Sequence, residues 1–111
     1  MVEIREYQDG SGRGPFQDWF NRLNAEASGK VTTALYRLSL GNVSNVRSVG
    51  SGTHELKINF GPGYRVYFGK DGERIVVLLQ GGTKQRQEKD IRFALALWEN
   101  YKRGKKRKEE E

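Results

Sequence analysis

Five side chains in the second half of the chain have the types and spacing to handle a phosphodiester. Lys57 lies in HELKINF, Arg65 and Tyr67 in YRVYFG, and Lys84 and Arg86 in TKQRQ. Both of the first two segments alternate. Leu56, Ile58 and Phe60 point one way and Glu55, Lys57 and Asn59 the other, while Tyr64, Val66 and Phe68 oppose Arg65 and Tyr67. With the apolar sets turned toward helices, Glu55, Lys57, Asn59, Arg65 and Tyr67 share one sheet face, and pairing of the two strands draws Lys57, Arg65 and Tyr67 together. An arginine grips phosphate oxygens bidentately, a lysine brings charge or a proton, and a tyrosine ring stacks on a base. Charged residues are equally the ordinary dress of a solvated sheet face, where they blunt self-association. Alternation alone leaves both meanings open.

The elements that must position these residues can be read in order. Met1 to Tyr7 alternates as a short strand, and a glycine-rich break follows. Gly14-Pro15 opens a helix with Phe16, Trp19, Phe20 and Leu23 on one face. Asn24 caps a second helix that runs through Ala27, Val31, Ala34, Leu35 and Leu38 to Gly41-Asn42. After a loop from Val43 to Gly52 come three strands, turned by Gly61-Pro62-Gly63 and by Asp71-Gly72, the last carrying IVVLL. Gln85 to Lys102 is a final helix with Ile91, Ala94, Leu95, Trp98 and Tyr101 inward. The order β-α-α-β-β-β-α predicts a compact α+β domain over residues 1–101, an antiparallel sheet with helices packed on one face. The other face is then partly open. Residues 102–111, KRGKKRKEEE, read as a charged, frayed tail.

Composition narrows the chemistry. The 111 residues suit one domain with one modest core. No cysteine is present and His54 is the single histidine, so thiolate chemistry and multi-histidine metal sites are excluded, and no cofactor is expected. No apolar run approaches a membrane span and the N-terminus lacks a signal-peptide pattern, so a cytoplasmic protein without a membrane partner is expected. Twenty Lys and Arg against fourteen Asp and Glu give +6, a balance that favours polyanionic partners. Other striking residues have structural explanations. His54 reads as a strand-boundary residue, Asp90 as an acid favoured by the dipole of the last helix, and Trp19 and Trp98 as core.

The ordered segments FQDWF, ALYRLSLGN, HELKINFGPGYRVYFG, RIVVLLQGGTKQRQEKDI and ALWENY resemble the addiction-module killer proteins, the HigB-like branch of the RelE/ParE toxin superfamily. The similarity spans about residues 1–101 and implies the RelE-like α+β fold. It also implies a type II toxin: a ribosome-dependent endoribonuclease that cuts messenger RNA by attack of a 2′-hydroxyl on the adjacent phosphate, without metal. On that resemblance Arg65 is the phosphate clamp and Lys57 the base or electrostatic stabiliser. Lys84 and Arg86 are further phosphate contacts, and Tyr67 stacks a base, with Asn59 beside it on the RNA-binding face. Many relatives carry a late tyrosine or histidine for proton transfer; QRQEKDI has neither, and Asp90 is its nearest titratable residue. The implied partners are the ribosome, messenger RNA and a cognate antitoxin of helix-turn-helix type, with operator DNA reached only through the toxin–antitoxin complex. The same fold also serves ParE-like toxins that inhibit DNA gyrase and cut nothing, and it can carry an inactive RNA-binding module.

Overall fold

A computed structural model describes residues 1–110. The elements are β1 (Glu3–Glu6), α1 (Pro15–Asn21), α2 (Ala25–Ser39), β2 (Val46–Gly50), β3 (Thr53–Ile58), β4 (Tyr64–Asp71), β5 (Ile75–Thr83), a 3-10 turn (Lys84–Arg86) and α3 (Gln87–Glu110). They build an α+β domain around one five-stranded sheet of order β1-β5-β4-β3-β2. Strands β2 to β5 form an antiparallel meander, and β1 joins the far edge parallel to β5. The sheet is therefore mixed where an all-antiparallel one was expected. The chain between β1 and β5 supplies the long crossover that a parallel pair requires.

Strand β2 lies inside the segment expected to be a loop. Its alternation is broken by a register shift between Ser48 and Gly50, and only Val46 and Val49 are even half-buried. A short, bulged edge strand of this kind leaves almost no period-two signal.

Helices α1 and α2 pack together on one face of the sheet, as expected. Pro15 starts α1 without sacrificing a needed donor. The Asn24 side chain accepts from the Ala27 N–H at 2.9 Å and caps α2. Phe16, Trp19, Val31 and Leu38 pack there against Leu56, Ile58, Val66, Phe68, Val76 and Leu78.

The opposite face is less open than the sequence suggested. Helix α3 crosses it and buries Ala94, Leu97 and Trp98 against Tyr7, Tyr67, Val77 and Leu79. Glycine makes that close approach possible: a Cβ on Gly69 would fall 2.3 Å from the Trp98 ring. Trp98 also stacks on Tyr101, 5.0 Å between ring centroids, and the Tyr101 hydroxyl donates to Asp71 at 2.6 Å. Where a frayed tail was expected after Tyr101, α3 continues to Glu110, its side chains from Lys102 to Glu109 exposed.

One irregularity decides what faces α3. Tyr67 pairs with Gln80 but Phe68 pairs with Leu78, so β5 carries one extra residue at Leu79. This bulge turns both Leu79 and Gln80 toward α3 and re-phases the strand end. Gly81 then lies under Trp19 on the α1 side and Gly82 under Asp90 on the α3 side.

Candidate functional site

The ends of β3, β4 and β5 bring three of the expected cations together. Lys57 and Arg65 are direct cross-strand partners. Lys84 follows β5 immediately, and its backbone N–H donates to the Gly63 carbonyl at 2.8 Å. The same carbonyl accepts from Arg65 Nη1 at 2.9 Å. The turn FGPG is thus more than a connector. Gly63, at φ +79°, holds a left-handed conformation natural to glycine, and its oxygen ties Arg65 to the base of Lys84. Lys57 and Lys84 are exposed.

Arg65 is different: only 5% of it is exposed. Its partner is Glu55, a carboxylate 2% exposed on β3, with Arg65 Nε 3.6 Å from Glu55 Oε1. Arg47 of β2 donates to the same oxygen at 2.9 Å, and Gln87 in the first turn of α3 donates to Oε2 at 2.7 Å. Burial alone would raise the Glu55 carboxyl, but the hydrogen bonds from Arg47 and Gln87 and the charges of Arg47 and Arg65 outweigh it and hold it below the usual range. Glu55 therefore locks β2, β3, β4 and α3 around a fixed guanidinium.

Two expected contacts are placed otherwise. Tyr67 is fully buried beneath α3, so its ring offers no face to a base. Burial, reinforced by the charges of Glu55 and Asp90, pushes its phenol strongly upward. Asn59 is exposed just past the end of β3, outside the strand pairing that aligns Lys57 with Arg65. Arg86 is exposed, two residues beyond Lys84, in the 3-10 turn. His54 stacks on Phe68 at 5.4 Å, and burial, then Lys70, lowers its imidazole.

Among the described residues four buried polar atoms have no hydrogen-bond partner: Thr53 Oγ1, Arg65 Nε, Tyr67 Oη and Asp90 Oδ2. Native proteins rarely leave buried polar groups unpaired. Burial raises the Asp90 carboxyl, against the opposing pull of the Gln80 amide and the Arg86 charge. Glu55, Gln87 and Arg47 were not singled out from sequence. Alternation does place Glu55 on the face of Lys57 and Arg65; the missing signal was the helix that covers it.

Comparison with known proteins identifies a family. Residues 18–99 match the family described as phage-derived protein Gp49-like (DUF891). The chain belongs to the Gp49-like family. This is a RelE-like family of addiction modules, associated with the toxins of toxin–antitoxin systems. The Gp49-like match begins within α1 and takes in Glu55, Lys57, Arg65, Lys84 and Asp90. An uncharacterized protein of Haemophilus influenzae is 41% identical over 83 residues, which cover 74% of this chain and 84% of the relative. Among the described residues no helix is long and apolar enough to cross a membrane.

Proposed function

We propose that this Gp49-like protein is the toxin of a type II toxin–antitoxin pair and a ribosome-dependent messenger-RNA endonuclease, as in the HigB-like branch. The observation that carries the reading is the convergence of two exposed lysines, Lys57 and Lys84, on a guanidinium fixed by Glu55 and Gly63. Attack by a ribose 2′-oxygen forms a new O–P bond and breaks the bond to the 5′ oxygen, leaving a 2′,3′-cyclic phosphate and a 5′-hydroxyl. The reaction needs a base for the 2′ proton, positive charge on the phosphorane oxygens and a proton for the leaving oxygen. Lys57 serves as base or electrostatic stabiliser, and Arg65 and Lys84 hold the phosphate. Arg86 extends the cationic track along the RNA. No metal enters these steps. The antitoxin partner covers this basic end or makes the toxin too bulky for the ribosome, and operator DNA is bound through that complex.

The test is to express the chain from a tightly controlled promoter and map the 5′ ends of cellular messages. Lys57→Ala and Lys84→Ala are the informative controls, because both side chains are exposed and their loss leaves the core intact. Arg65→Lys is preferable to Arg65→Ala, which strips a partner from buried Glu55. Cuts within translated frames that vanish in folded Lys57→Ala support the nuclease. Growth arrest with intact messages refutes it and directs the search to gyrase.

A further inference from the structure

The end of β5 borders a second feature. Strand β1 pairs with β5 only as far as Leu78, so among the described residues the β5 segment from Gln80 to Thr83 has no outer neighbour strand. There α1 and α3 form the two walls of a groove of about 330 Å³, lined by Arg22, Gly82, Thr83, Arg86, Asp90 and Phe93, with Trp19 in its floor and Asp18 at its rim. That volume is at the lower end of small-ligand sites. Asp90 is 8% exposed, and its Oδ2 has no hydrogen-bond partner among the described residues. It sits where Gly82 leaves room: a Cβ on that glycine would lie 1.9 Å from Oδ2. Arg22 and Arg86 are exposed, as is the Phe93 ring one helical turn beyond Asp90.

These three chemistries point to one kind of ligand. Exposed arginines take a phosphate, an exposed ring takes the flat face of a base, and a carboxylate accepts from N–H groups. Among nucleobases, guanine presents two adjacent donors, N1–H and the 2-amino group, on one edge. We infer that this groove is a guanine-nucleotide subsite, with Asp90 accepting from the base, Phe93 against its face and Arg22 and Arg86 on its phosphate. Gly82 is the direct cross-strand partner of Arg65. Their backbones are one strand spacing, about 5 Å, apart, so the groove adjoins the strand that carries Arg65. It deepens the endonuclease reading by supplying a base preference next to the cut.

Mononucleotides contain no internucleotide bond to cleave, so their binding is read separately from nuclease activity. Guanosine 5′-monophosphate, inosine 5′-monophosphate, adenosine 5′-monophosphate and inorganic phosphate are titrated into the isotope-labelled full chain and followed by amide NMR. The expected result is shifts at Gly81, Gly82, Thr83 and Phe93, with guanosine monophosphate bound about tenfold or more tighter than adenosine monophosphate, the size of one lost charge-assisted hydrogen bond. Inosine monophosphate, which lacks the 2-amino group, falls between them. Asp90→Asn removes the guanine preference, and Arg86→Ala weakens all three nucleotides alike. Equal affinity for every nucleotide and for phosphate overturns the subsite, as do shifts confined to Lys57 and Lys84 or no shifts at millimolar ligand. The wild-type nucleotide series decides the matter even if Asp90→Asn does not fold. Base-selective binding without messenger-RNA cleavage would sink the nuclease and keep the groove.

Discussion

Glu55→Ala tests the fixed-guanidinium arrangement most directly. The substitution removes a hydrogen bond from Gln87 at 2.7 Å and one from Arg47 at 2.9 Å, and it strands Arg65 with Nε facing the vacated space. Arg47 contributes below about 1 kcal/mol, because its side chain is 59% exposed and screened by solvent. The Gln87 bond, to a charged acceptor, contributes about 1.5–3 kcal/mol. Adding the uncompensated buried charge brings the loss to about 3–5 kcal/mol, a large share of the roughly 5–15 kcal/mol that holds a domain together. In urea titrations the midpoint should fall by about 2 M at an ordinary slope, while Arg47→Ala should move it little. The pH dependence follows from the sign of the shift. A carboxyl held below its unfolded value contributes fully above that value and loses its contribution as pH falls through the folded pKa. Wild-type and variant curves should therefore converge in acid. A midpoint within about 0.5 M of wild type, or an Arg47→Ala loss as large as that of Glu55→Ala, refutes the reasoning.

Asp90 has the opposite sign. Its folded pKa is raised, so ionisation above that pKa costs stability, and Asp90→Asn should raise the melting temperature at neutral pH, with the gain shrinking toward acid. An unchanged melting temperature at pH 7 would contradict this. Tyr67→Phe deletes a buried hydroxyl without a partner and should be neutral or stabilising by up to about 1–3 kcal/mol; a clear loss in urea would reveal a hidden partner for that oxygen. Gly81→Ala puts a methyl 2.2 Å from the Trp19 ring and should cost about 1–3 kcal/mol or more, read by urea unfolding and by a changed tryptophan near-UV spectrum.

The strand interiors and their faces were legible because period-two alternation in HELKINF and YRVYF is set by burial on one side. The same reading put Lys57 and Arg65 on one face, and the register makes them direct cross-strand partners. What alternation does not encode is the bulge at Leu79, since IVVLLQ is apolar nearly throughout and an extra residue leaves no mark in it. Yet that bulge turns Gln80 and Gly82 toward α3 and opens the place occupied by Asp90. The fate of Tyr67 escaped for a related reason: its face was correct, but nothing local announced that α3 would lie across that face. Trp98, read as core, was the available clue. It must pack on something, and Gly69 is the flat spot that receives it.

The roof of α3 divides one basic cluster into two kinds of charge. Arg65 is held inside by Glu55 and Gly63, whereas Lys57, Lys84 and Arg86 stay in water. Exposed lysines with free stems meet a polyanion first and govern encounter rate and salt dependence. The buried guanidinium cannot swing out without breaking the bond to Gly63 and giving up its ion pair with Glu55. It is a preorganised part of the site, with its position set before any ligand arrives. Loss of toxicity at Arg65 or Glu55 is consequently ambiguous between chemistry and folding, while loss at Lys57 or Lys84 is not. If the cluster works as proposed, raising salt should weaken ribosome association, and substituting either lysine should reduce that salt slope by about one. Glu55 substitutions that still fold should leave the slope unchanged, and a slope insensitive to both lysines would mean that the polyanion binds elsewhere.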